Sequence, residues 1–249
     1  MEACEMSLRF DRKPIVLTLA AIALSSLTVA CETQVAGVAR SFDQGLTACT
    51  DLDNNNTAAG FARPGVAPNV KVVLLRGLDD VFSLGLDTLQ QVMHNIGLDA
   101  SVYSGDAWSN VGAQIAASRA NDADPPELVI IGHSYGADDG IRLATYLRTR
   151  NVPVRLLILL DATSPPPIPD NVERCLHLYN LWLPGYLAPG LFSGNPVVAA
   201  AGNARTAITN EVVTPNPSNT SVGCVNHFNI DASAVIHRRI LEEVYSISE

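Results

Sequence analysis

From Val70 to Asp161 the apolar positions follow two spacings in turn. "VKVVLLRG" (70–77), "ASVYS" (100–104), the run Leu128–Ile131 ending at Gly132, and "VRLLILLD" (154–161) are short and nearly all apolar, as strands buried on both faces are. Between them the spacing lengthens. "VFSLGLDTLQQVMHNIG" (81–97) carries Leu86, Leu89, Val92, Met93 and Ile96 on one helical face and stops at Gly97. "NVGAQIAASRAN" (110–121) predicts a second helix, and Ala137, Ile141, Ala144 and Leu147 line a third. Strands alternating with helices predict an α/β fold: a mostly parallel sheet with helices on both faces and right-handed crossovers.

Beyond Asp161 the pattern is weaker. "RCLHLYN" (174–180) and "AITNEVV" (207–213) read as further strands. "VIHRRILEEVYSI" (235–247) reads as a closing helix with Ile236, Ile240, Val244 and Ile247 on its buried side. Residues 31–68 show neither period and read as a tether, so the expected domain spans 69–249. Within the tether, "DLDNNN" is no calcium loop, because Asn56 stands where Gly is needed and Ala62 where the closing Glu belongs.

Residues 1–30 differ in kind. "RFDRK" followed by the uncharged run Pro14–Cys31 has the order of an export signal, with cleavage expected after Ala30; the alternative is a membrane-anchoring helix. Cys31 resembles the acylated cysteine of a bacterial lipoprotein, although Thr28 stands where an aliphatic residue is usual. The chain is therefore expected to be exported: periplasmic, secreted, or tethered to a membrane through lipidated Cys31. An oxidising compartment favours a Cys175–Cys224 disulfide, with Cys49 left over; the alternative is a pair of buried thiols.

Composition narrows the partners. With 47% apolar and 16% charged residues the chain is no disordered tail. Its formal charge of −9, with no basic cluster beyond residue 13, disfavours nucleic acid. No H-E-x-x-H, C-x-x-C or G-x-x-x-x-G-K is present, so no metal and no cofactor is expected.

The chemistry concentrates in "LVIIGHSYGADDG" (128–140), where a single serine sits at the turn from strand to helix. Carboxyl ends of parallel strands line the ligand crevice, so Ser134 falls where chemistry is usually done. A sharp turn there presses residues 132 and 136 together, which explains two glycines. "GHSYG" in this strand–turn–helix context resembles the nucleophile elbow of the α/β-hydrolase superfamily, a likeness covering roughly residues 70–245 and lacking the first strands of larger members.

That resemblance implies a Ser, acid, His order downstream. Asp161, ending the next strand in "LLILLDATSP", is the expected acid, with Asp170, Glu173 and Glu211 as alternatives. His227 in "CVNHFNIDAS", just before the closing helix, is the expected base, and His177 is the runner-up. His94 precedes the serine, His133 points away from its Oγ, and His237 lies within the last helix. The family's oxyanion hole would draw on the N–H groups of Tyr135 and Leu78. Arg76 stands where relatives often carry histidine, and Asp79, Asp80 or Asp106 is its expected partner.

The segment 181–201, apolar yet rich in Pro and Gly, offers Trp182, Tyr186 and Phe192 as an acyl-pocket wall or, alternatively, as a buried connection. Together these features predict an exported serine hydrolase acting on a carboxylic ester or thioester through an acyl-enzyme. Acyl transfer by the same triad, or a binding module on a disabled hydrolase fold, remain as alternatives.

Overall fold

A computed structural model describes residues 66–77, 83–180, 195–213, 225 and 227–248. The export signal, nearly all of the tether, and Cys31, Cys49 and Cys224 lie outside them. Among the described residues, α-helices and strands follow in the chain order β1 (Val70–Leu75), α1 (Gly85–Asn95), β2 (Asp99–Tyr103), α2 (Trp108–Arg119), β3 (Glu127–His133), α3 (Tyr135–Arg148), β4 (Val154–Leu160), β5 (Val172–Tyr179), β6 (Ala207–Val212) and α4 (Ala234–Tyr245).

The six strands form one sheet in the order β2-β1-β3-β4-β5-β6, every pair parallel. Strand alternation splits its apolar residues between two cores. Val72, Leu74, Ile131 and Ile158 face α1 and α4; Val73, Leu75, Ile130 and Leu157 face α2 and α3. This is why the central strands read as continuous apolar runs: neither face meets water. Each aliphatic side chain fully buried in this way contributes roughly 1.5–3 kcal/mol.

The helices begin and end for local reasons. Ser83 has φ 85°, which no helix accommodates, so α1 starts at Gly85 and not at Val81. Gly97 has φ 89° and ends it, a conformation that glycine reaches without a Cβ penalty. On α3, Ala137, Ile141, Ala144 and Leu147 are all buried. On α4, Ile236, Ile240 and Val244 are buried, joined by Leu241 and Tyr245, whose hydroxyl donates to the Ile96 carbonyl at 3.2 Å. Ile247 lies past the helix, in the 3₁₀ turn Ser246–Ser248.

The expected Cys175–Cys224 disulfide is not made, because Cys175 is a buried free thiol. It sits in mid-sheet on β5, level with Leu157 of β4 and Ile208 of β6, inside the core that α3 covers. Burial there pushes its pKa up to about 12, so the thiolate needed for exchange does not form. Peptide mapping after alkylation is expected to find Cys175 unmodified in the native protein and fully modified in denaturant without reductant.

Candidate active site

β3 ends at His133 and α3 begins at Tyr135, so Ser134 alone makes the turn. Its backbone lies at φ 58° and ψ −126°, a conformation that costs a non-glycine residue on the order of 1–3 kcal/mol. The sheet holds it there: the Ser134 N–H donates to the Leu160 carbonyl at 2.9 Å, extending the ladder to β4. A Cβ on Gly132 would lie 2.2 Å from the Gly136 carbonyl oxygen. One on Gly136 would lie 2.3 Å from the carbonyl oxygens of both Leu75 and Arg76. The first glycine therefore makes room for the second, and the second makes room for the end of β1.

Three side chains from separate segments meet above this turn. Ser134 Oγ is 3.0 Å from His227 Nε2, and His227 Nδ1 is 3.0 Å from Asp161 Oδ2. All three residues are buried. A carboxylate only accepts, so Nδ1 carries the proton and Nε2 offers its lone pair to the serine hydroxyl. Asp161 itself is held at φ 48°, its N–H bonded to Leu178 O at 2.8 Å and its Oδ1 accepting the Asn180 N–H at 3.0 Å. Such an array can remove a proton from Oγ as it attacks and stabilise the imidazolium that forms.

Two supporting residues carried no signal in the sequence. Asn180, just past β5, donates its side-chain N–H to Val225 O at 2.6 Å as well as its main-chain N–H to Asp161. It thus joins Asp161 to the chain leading into His227. Asp138, in the first turn of α3, accepts from Thr163 N, Thr163 Oγ1 and Ser164 N at 3.2, 2.6 and 3.0 Å, anchoring the turn after Asp161. Burial raises its pKa, with those hydrogen bonds opposing.

The other candidates lie elsewhere. Asp170, Glu173 and Glu211 pair with Arg148, Arg155 and Arg239. His94 contacts the Ala100 carbonyl from α1. His177 lies buried on β5, level with Leu159 and Asn210, its ring stacked on Tyr179. Arg76 pairs with Asp87 of α1, not with Asp106, which instead accepts from Ser104 Oγ; Asp79 and Asp80 lie outside the described residues. The first turn of α1 faces the end of β1, which puts Asp87 within reach of the guanidinium. Tyr135 opens α3, where the helix presents its amides and partial positive charge. Leu78, Trp182, Tyr186 and Phe192 lie outside the described residues. A groove of about 360 Å³ beside Lys71, Asp99 and Arg119 opens at the amino ends of the strands, away from Ser134.

No model of a known protein family matches the sequence, and no curated protein matches it. Among solved structures, the NocB thioesterase domain from the nocardicin cluster is similar at 14% identity over 71% of this chain and 95% of its own, with a TM-score of 0.42. A metagenomic carboxyl esterase is similar at 13% over 70% and 76%, TM-score 0.37. A cutinase-like protein from a Cryptococcus species is similar at 10% over 71% and 98%, TM-score 0.35. With scores of this size, the fold is assigned on the chain's own sheet order and turn.

Two outcomes follow from the packing. Gly136→Ala is expected to lower stability by about 3 kcal/mol or more, read as a shift of the urea midpoint, because backbone oxygens must move. His177, whose pKa burial lowers to about 4, binds its proton more readily in the unfolded chain. Stability is therefore complete above the ordinary value of 6.5 and is lost as pH falls from there toward about 4. Melting temperatures across that window should drop by several degrees in the wild type and less steeply in His177→Asn, with buried His133, whose pKa burial also lowers, supplying part of what remains.

Proposed function

We propose that the chain is an α/β-hydrolase, a serine hydrolase cleaving a carboxylic ester or thioester, a reading that its all-parallel sheet order and serine-bearing turn support. The observation that carries this is the pair of 3.0 Å contacts running Ser134–His227–Asp161. Ser134 Oγ attacks the acyl carbonyl while His227 Nε2 takes its proton. The imidazolium, paired with Asp161, then protonates the departing alkoxide or thiolate as the acyl–oxygen or acyl–sulfur bond breaks. Water, deprotonated by the same imidazole, attacks the acyl-enzyme and releases the acid and free Ser134. The N–H of Tyr135, with that of Leu78, is assigned to the developing oxyanion.

This chemistry needs no group beyond the chain's own side chains. The Ser134–His227–Asp161 contacts support acyl chemistry, and with it an ester or thioester as substrate. Trp182, Tyr186 and Phe192 are assigned to the acyl pocket, and the basic-then-apolar leader supports export, the mature chain being periplasmic, secreted or tethered to a membrane through a lipidated Cys31.

A fluorophosphonate probe is expected to label the wild type at one site. Ser134→Ala should abolish labelling, and His227→Ala should slow it by at least about 10⁴-fold. A folded wild type that does not label would favour a binding module, and product formed only with an added alcohol or amine would favour acyl transfer. Phe192→Ala should shift the preferred acyl chain length in an ester series; an unchanged preference removes Phe192 from the pocket. Intact mass of the exported form, with or without a diacylglycerol on Cys31, decides the anchor.

A further inference from the structure

His133 fills the variable place before the serine in "GHSYG", and no step above uses it. Its side chain is nevertheless only 1% exposed and bonded at both nitrogens. Nε2 lies 2.8 Å from the main-chain oxygen of His227, and Nδ1 lies 2.6 Å from Ser83 Oγ. A carbonyl only accepts, so the proton is on Nε2, Nδ1 is a lone pair, and the Ser83 hydroxyl donates to it. Ser83 Oγ in turn accepts the Gly77 N–H at 2.9 Å. Burial lowers the pKa of this imidazole, against the opposing pull of Asp231, which fits a neutral ring with one donor and one acceptor.

The surroundings extend the same contact. Asp231 Oδ1 stands 3.8 Å from His133 Nδ1, beyond hydrogen-bond reach, while its Oδ2 accepts the Gly85 N–H at 2.9 Å where α1 begins. His237 Nε2–H donates to the Asp231 main-chain oxygen at 2.5 Å, so this histidine of α4 fixes the turn Ile230–Ala232. A Cβ on Gly85 would lie 2.4 Å from that same oxygen, so α1 rests directly on the turn. The chain after β1 and the chain before α4 therefore meet at one imidazole.

Resting on the serine-hydrolase reading, we propose that His133 is a positioning residue: its Nε2–H fixes the main chain of His227, and its Nδ1 fixes Ser83 at the base of the β1–α1 connection. Because His133 and Ser134 are consecutive, the bonds close a circuit. It runs from Ser134 through His133 to the His227 carbonyl, through the His227 ring, and back to Ser134 Oγ. Opening the circuit at Nε2 removes one of the bonds that hold the His227 main chain, and the distance from the ring to Oγ is then set without it. A group placed about 1 Å out of line can cost on the order of 100-fold in rate.

Three variants separate positioning from mere filling of the core. In His133→Gln the amide nitrogen can reach the place of Nε2 and donate to the His227 carbonyl. In His133→Asn the amide oxygen takes the place of Nδ1 and leaves that carbonyl unmet. His133→Phe keeps the volume and removes both bonds. With the fluorophosphonate probe at saturation, the limiting rate should fall about 100-fold in the Phe variant with probe affinity unchanged. The Gln variant should recover to within about tenfold of wild type, and the Asn variant should not.

A second readout needs no turnover. The low-field proton on His227 Nδ1, bonded to Asp161, should be resolved by NMR in wild type and His133→Gln and broadened away in His133→Phe. A folded Phe variant that labels at the wild-type rate overturns the proposal, as do Gln and Asn variants that lose rate equally. If the Phe variant does not fold, the Gln–Asn contrast decides. If the wild type fails to label at all, the hydrolase reading fails, and the proton signal still decides: retained in His133→Phe, it overturns the role of His133.

Discussion

The approach of α3 to the end of β1 is the constraint on which the rest of the crevice depends. Gly136 lies against two carbonyl oxygens there, Gly132 lies against Gly136, and Gly105, before α2, has its own missing Cβ 2.4 Å from the Arg76 oxygen. No larger side chain fits at any of these points without backbone movement. The contact brings α3 in so steeply that Ser134 is left in a conformation an isolated chain would not keep. Buried strands on either side, bonded residue by residue, over-determine that geometry, which is how a protein retains local strain.

Above the apolar sheet lies a layer of buried polar groups, each of which would be costly if left unmet. His133, Ser134, Asp138, Asp161, Asn180, His227 and Asp231 are all buried, and each has a hydrogen-bond partner named above. The bonds run between chain segments more often than within them. Such a layer specifies one arrangement of the loops, since a shift in any loop would strand a donor or acceptor away from water.

Much of this was legible in the sequence. The four strands from β1 to β4 are apolar on both faces, so their periodicity announced them; Ser134 was marked by its glycines, and the structure brings Asp161 and His227 to it. What stayed hidden depends on partners far away along the chain. Ser134 and His227 are 93 residues apart, His133 and the His227 carbonyl 94, and Asn180 and Val225 45. No local spacing could have named Asn180 or given His133 a task. Arg76 pairs with Asp87, a partner that local spacing did not single out, because the first turn of α1 faces the end of β1. Cys175 invited a disulfide through the expected oxidising compartment, whereas its place in mid-sheet, which local spacing does not reveal, keeps it a buried thiol.

The parallel pairing of β3 with β4 has one further consequence. Ser134 and Asp161 follow neighbouring strands joined through α3, so a single βαβ unit, Glu127–Asp161, carries both at a separation set by the hydrogen-bond ladder. His227 arrives 66 residues after Asp161, from a different part of the chain. The site is thus divided mechanically into a stiff half and an adjustable half. Insertions or deletions in 181–194 or 214–224, outside β5, β6 and the bonds of Asp161, would leave the spacing of Ser134 and Asp161 untouched, so those stretches are where descendants of this chain have freedom to diverge.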